Sequence, residues 1–175
     1  MATSLYDLSV ATYLQTLNGV VHFLQRGLDH CQDNNIDLGE LVETRLYGDM
    51  LPFRFQLVSV AHHSKGSIEG IKAGVFSPPS LVSEMSYADL QQLVAGARDD
   101  LQKLDPAEVN ALEGKDVVFQ FGNFKVPFTA ENFVLSFSLP NLHFHATTAY
   151  DILRQKGVPL GKRDYMGPLR MKAAA

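Results

Sequence analysis

From Ser4 to about Gln32 the apolar residues Val10, Tyr13, Leu14, Leu17, Val20, Val21, Leu24 and Leu28 recur three or four apart. That spacing is the 3.6-residue repeat of one helix face, so the chain opens with a long amphipathic helix. A helix with an apolar stripe has to bury it against another element, so the segment demands partners of similar length. Three more segments supply them. Phe53, Leu57, Val60, Ala61, Ser64, Ile68 and Ile71 form a second stripe, started by Asp49 and Pro52 and ended by Gly74. Ser86 with Asp89 three residues on is a capping-box start for Leu90, Leu93, Val94, Ala97, Leu101 and Leu104. Thr129 caps a fourth helix that runs to Lys156, where Gly157 and then Pro159 stop it. The expectation is a mainly α protein built as a four-helix bundle.

Between these segments the pattern changes. "DNNIDLGELVETRL" reads as a turn and a short helical piece with Asp37 as its cap, and "SPPS" at 77–80 as a connector. "VVFQF" and "FKVPF" flank Gly122-Asn123, a two-residue turn signal, so a short β-hairpin precedes the last helix and lies over one end of the bundle. Pro127 confines the second strand to an edge. Pro140 falls inside the fourth helix and is expected to kink it, because it removes an amide and crowds the carbonyl four residues back. The 175 residues fit one domain, 1–175, with 168–175 read as a disordered tail. In "GVPLGKRDYMGPL" the Gly and Pro density argues against helix, yet Val158, Leu160, Tyr165 and Met166 are apolar enough to fold back, with Lys162 and Asp164 at a pocket rim.

Fifteen basic residues against 19 acidic ones, with no Lys/Arg cluster, argue against nucleic acid as a partner. No apolar run is long enough to span a bilayer and no secretion signal opens the chain, so a soluble, cytoplasmic protein without membrane contact is expected. The single Cys31 suits a reducing compartment and rules out an internal disulfide or a multi-cysteine zinc site.

"LPNLHFHATTAYDILRQKGVPLGK" at 139–162 raises the functional question, since it carries His143 and His145. On a regular helix two positions two apart point about 160° from each other, so the two cannot grip one ion. On the His145 side, Val134, Leu142, Ala149 and Ile152 mark a core seam, and Ser138, Asn141, His145 and Thr148 run through it as a polar strip. Buried polar groups must find partners, so the strip is either a hydrogen-bonded packing network or the wall of a pocket. In the second case His145 is the candidate acid/base, because its unperturbed pKa lies near neutrality. His143 falls on the other side, near Thr147 and Tyr150. On the second helix His63 shares a flank with Gln56, Ser59 and Ser67 and can reach the interior, whereas His62 points away; a solvated surface pair is the alternative. Arg45 lies four residues before Asp49 and either pairs with it or orients an anionic group of a ligand.

These residues also carry a resemblance. The block from "LPNLHFH" to "GVPLGKRDYMG" resembles the C-terminal signature of domain-of-unknown-function family 1993, and "RLYGDMLPFRFQ" and "HSKG" resemble segments of the same family. That family is similar to the DinB-like four-helix bundles, several of which hold a divalent metal through three histidines. The resemblance implies that His63 and His145 occupy two of the three places. Four residues beyond His145 stands Ala149 and four before it Asn141, so the third imidazole is missing.

Three readings follow. The first is a metal-independent isomerase or cyclase that needs no cofactor, with His145 as acid/base and Ser138, Asn141, Thr148, Gln56, His63 and Arg45 around a small apolar molecule. The second is a metal-assisted transferase or hydrolase in which His63 and His145 weakly hold a divalent ion such as zinc or nickel. The third is a non-catalytic ligand-binding or dimerising bundle, with a homodimer formed through an apolar face.

Overall fold

A computed structural model of the chain describes residues 3–79 and 84–172. The connector "SPPS" therefore lies within the described residues only up to Pro79, and the last three alanines lie outside them. The first helix comes in two pieces, α1 (Leu5–Leu8) and α2 (Val10–Asp33). Ser4 and Asp7 close a capping box on α1, and Ser9, at φ −101° and ψ −85°, interrupts the helical path. Asp37 caps α3 (Leu38–Glu43) by accepting from the Gly39 amide at 2.7 Å.

The second stripe is likewise divided. α4 (Phe53–Ala61) starts behind Pro52, with no side-chain cap from Asp49 as the sequence suggested. A π-helical turn (His62–Gly66) follows, and then α5 (Ser67–Ala73), closed by Gly74 at φ 77°. After β1 (Val75–Phe76) comes α6 (Tyr87–Gln102), with the expected Ser86/Asp89 capping box, and the short α7 (Pro106–Asn110).

β2 (Asp116–Phe121) and β3 (Phe124–Thr129) form the hairpin around Gly122, whose φ of 57° is left-handed. β1 adds a strand that the periodicity did not reveal, since two residues carry no period. It pairs parallel to β2, with Val75 opposite Val118 and Phe76 opposite Phe119, in the order β1-β2-β3. Val118 donates its amide to Gly74 on the β1 side at 3.0 Å. Its β3 neighbour Pro127 therefore sits at a non-bonded pair, with its nitrogen toward the open edge, where a missing N–H costs nothing.

The fourth stripe contains α8 (Ala130–Phe133), a second π turn (Val134–Ser138) and α9 (Leu139–Gln155), with Thr129 accepting from the Asn132 amide at the start. The widened turn sits immediately before Pro140, where a regular α turn would press the ring on the Ser136 carbonyl. α9 ends at Gly157, φ 89°, with the Val158 amide donating to Leu153 at 3.1 Å.

α2 packs on α6 and α9, and α4 packs on the same two helices, which closes a four-helix ring. Tyr13, Leu17, Phe23, Phe53, Leu57, Leu90, Leu101 and Phe133 fill its centre and are fully buried. The sheet lies against α5 and α8, at the end that holds both π turns.

One expectation about the C-terminus is corrected. Lys162–Met166 is a helix, α10, because those five residues are free of Gly and Pro and the Gly161 amide is taken up by Asp164 Oδ2 at 2.7 Å. Beyond it Arg170 donates to the Asp7 carbonyl at 3.4 Å and to Thr12 Oγ1 at 3.3 Å. Val158 and Leu160 do fold back into the core. Among the described residues no helix is long and apolar enough to cross a membrane.

Candidate functional site at the seam of α4 and α9

Gln56, Ser59, His63 and Ser67 share the buried flank of the second stripe, as their spacing suggested. They face α9 and the π turn before it. Gln56 donates from Nε2 to the Leu51 carbonyl at 2.7 Å, so its amide oxygen is turned toward His145. His145 Nδ1 lies 2.7 Å from that oxygen and must be the donor, because a carbonyl oxygen has no proton to give. The neutral ring then carries its lone pair on Nε2, for which no protein partner is present among the described residues. Phe55 and Phe144 meet the His145 ring edge-on, at centroid distances of 5.9 and 5.2 Å. His63 is stacked against it at 5.8 Å with 14° between the planes.

Both rings are held neutral. Burial pushes the His145 imidazole down to about 4. Burial, followed by the neighbouring His145 and His62, pushes His63 down to about 3. An acid/base poised near pH 7 is therefore not what the environment provides, and the His145 ring is neutral there. The alternative of a solvated histidine pair at 62 and 63 also fails. His63 is buried, with Nδ1 lacking a hydrogen-bond partner, and His62 lies over Phe76 at 4.4 Å and is bonded through Nε2 to the Ser77 carbonyl at 2.7 Å. Among the described residues Ser59 Oγ is another buried side-chain polar atom without a hydrogen-bond partner.

The polar strip of the fourth helix separates. Ser138 and His145 reach inward. Ser138 Oγ donates to the His63 carbonyl at 2.7 Å and meets Tyr13 Oη at 2.7 Å and Ser67 Oγ at 2.8 Å. Thr148 is also buried, yet it and Asn141 spend their donors on their own helical segment, on the Phe144 and Phe137 carbonyls respectively. Arg45 is exposed, donates to the Met50 carbonyl and makes no ion pair with Asp49. His143 and Thr147 both meet the Tyr165 hydroxyl of α10, each at 3.2 Å. Asp164 is bonded to His22 and Arg26 of α2, both at 2.9 Å, instead of standing at a pocket rim. Cys31 is buried and burial raises its thiol, which leaves it unreactive.

Among the described residues, hollows of about 740, 300 and 450 Å³ indent the surface, and none of these three is lined by His63 or His145. The largest lies on the other face of the first π turn, beside His62, Lys65, Phe76 and Asp100. None of these hollows is the internal pocket expected beside His145, whose ring instead meets Phe55 and Phe144 edge-on. Sequence reasoning missed the Tyr13 hydroxyl and the two π turns. Tyr13 sits in the apolar stripe like any core residue, and Pro140 was the only signal for the turn before it.

The donor set was tested against a three-histidine metal centre. Among the described residues no three His, Cys, Asp or Glu side chains converge. Ala149 is fully buried with no donor to offer, and the Asn141 amide is turned back along its own helix. The residues present do not fit such a centre.

No curated protein matches the chain. A solved structure, described as a DinB family member protein from Shewanella denitrificans, is similar to it at a TM-score of 0.79 and 25% identity, over 97% of this chain and 96% of that one. The family described as a domain of unknown function (DUF1993) matches residues 5–166. With the four-helix ring, the hairpin before the last helix and that match in place, the chain belongs to the DUF1993 family and has a DinB-like fold.

Proposed function

We propose that the chain is a metal-independent enzyme acting on a small, uncharged, largely apolar molecule, with His145 Nε2 as the proton acceptor. One observation supports this reading: the Leu51–Gln56–His145 chain of hydrogen bonds, in which Nδ1 carries the proton and the Nε2 lone pair is left without a protein partner among the described residues. The ring contacts of His145 are Gln56, Phe55, Phe144 and His63, three of them aromatic or heteroaromatic rings. A planar apolar body suits such aromatic edges. Proton abstraction by Nε2 and return of the proton at another atom is isomerisation; addition of the resulting carbanion to a C=O of the same molecule, whose π pair becomes an alkoxide that takes the proton back from Nε2, is cyclisation. The low basicity of the ring calls for a substrate with an activated C–H or X–H bond.

The test uses 2-tetralone, an uncharged bicyclic ketone with activated α-hydrogens, in deuterated buffer. Exchange of those hydrogens above the buffer rate, lost in His145→Gln and unaffected by a chelator, supports the reading. An equal rate in His145→Gln removes His145 as the base. Loss of exchange on chelation, with metal bound in protein purified without added metal, would favour the metal-assisted reading instead.

A further inference from the structure

The two π turns, His62–Gly66 and Val134–Ser138, are joined across the seam of the second and fourth stripes by one hydroxyl, that of Ser138. A π turn carries one residue more than an α turn, so its amides are offset from the carbonyls they would otherwise meet, and such turns persist only where something else holds them. At His63 the holders are visible. Its carbonyl accepts from Ser67 Oγ at 3.1 Å, one turn along the same helix, and from Ser138 Oγ at 2.7 Å, across the seam. Ser138 has a single proton and gives it to that carbonyl, so the Tyr13 hydroxyl, 2.7 Å away, must donate to Ser138. Tyr13, Ser138 and Ser67 are all buried, and the chain of bonds runs from α2 through the π turn before α9 to the His63 backbone. The His63 side chain leaves from the residue so gripped, and its ring lies against His145 and Phe137.

We infer that Tyr13 and Ser138 are positioning residues: together they clamp the first π turn through the His63 carbonyl and so set the His63 ring against the face of His145. Without the clamp the His63 carbonyl loses its partner across the seam, and the extra residue of the π turn is free to shift along the helix; a shift of one position turns the side chain at 63 by about 100°, which carries its ring out of the stack. The clamp deepens the reading of His145 as proton acceptor, since the stacked ring walls one side of that imidazole, but its own geometry stands apart from any activity.

The experiment is NMR of the histidine rings in the full-length protein at pH 5, with Ser138→Ala and, as a milder variant, Tyr13→Phe. In the unmodified chain a ring-to-ring NOE joins His63 and His145, and His63 is neutral. In Ser138→Ala the NOE disappears and His63 becomes largely protonated as it meets solvent, while the His145 Nδ1–H donated to Gln56 is retained. Tyr13→Phe shifts the same signals in the same direction to a smaller extent. Ser138→Cys, close in volume but a weak donor, behaves like Ser138→Ala, which separates loss of the bond from loss of shape. A neutral, stacked His63 in folded Ser138→Ala overturns the inference. Should that variant fail to fold, unchanged ring signals in Tyr13→Phe do the same. Failure of 2-tetralone exchange leaves these signals untouched, so the two proposals stand or fall separately.

Discussion

Gln56 decides what His145 can do. It is almost fully buried, and both ends of its amide are committed, Nε2 to Leu51 and Oε1 to the imidazole. Replacing it with Leu leaves the Leu51 carbonyl and the His145 Nδ1–H without partners. We expect Gln56→Leu to lower stability by about 1–3 kcal/mol, measured by urea unfolding. The ring also loses the acceptor that holds the proton on Nδ1, so ¹⁵N spectra at pH 7 should show the proton moving to Nε2, and exchange of 2-tetralone should fall with it. Unaltered ¹⁵N shifts would mean that the amide does not select the tautomer. At this scale the sequence was half legible. The flank of Gln56, Ser59, His63 and Ser67 follows from helical spacing alone. Which of Ser138, Asn141, His145 and Thr148 look inward does not, because a hydroxyl or amide on a helix can always turn back to a carbonyl of its own preceding turn.

At the level of elements, the contact of α10 with α2 is set by a missing side chain. A Cβ on Gly19 would stand 2.2 Å from the Tyr165 carbonyl oxygen, so backbone meets backbone without a flexible group to yield. Gly19→Ala is therefore expected to cost roughly 1–3 kcal/mol, the range for overpacking, and to free α10 from its dock. Faster amide hydrogen exchange over 162–166 with α2 unaffected would show this; uniform protection would argue that the helix stays seated. The caps at Ser86, Thr129 and Gly157 were legible because each is a local bargain between one side chain, or one left-handed residue, and the nearest amides and carbonyls. β1 and α10 were not, for they are too short to show a period and exist because a neighbour supplies the other half of their hydrogen bonds or packing.

For the whole molecule, the buried histidine pair ties stability to pH. His145 and His63 are neutral in the folded chain down to about 4 and about 3, whereas in the unfolded chain a histidine takes up its proton near 6.5. Below about 6.5 the unfolded state binds more protons, so the stabilisation is complete above that pH and is lost as pH falls toward 4 and then 3. Urea midpoints should drop across that window. The double variant His63→Leu/His145→Leu should flatten the drop between about 6.5 and 4; an unchanged slope would place the acid sensitivity elsewhere. One contiguous core shared by α2, α4, α6 and α9 also predicts that far-ultraviolet circular dichroism and tyrosine fluorescence report coincident unfolding transitions. The sequence by itself determined the mainly helical class, the four stripes, the caps at Ser86, Thr129 and Gly157 and the hairpin, because each depends on a period or on a contact a few residues away. Only the tertiary structure decided that two helices carry π turns, that Ser138 bridges them and that His145 faces Gln56 and His63. Those arrangements join residues as far apart as Tyr13 and Ser138, and no local pattern records a hydrogen bond across that distance.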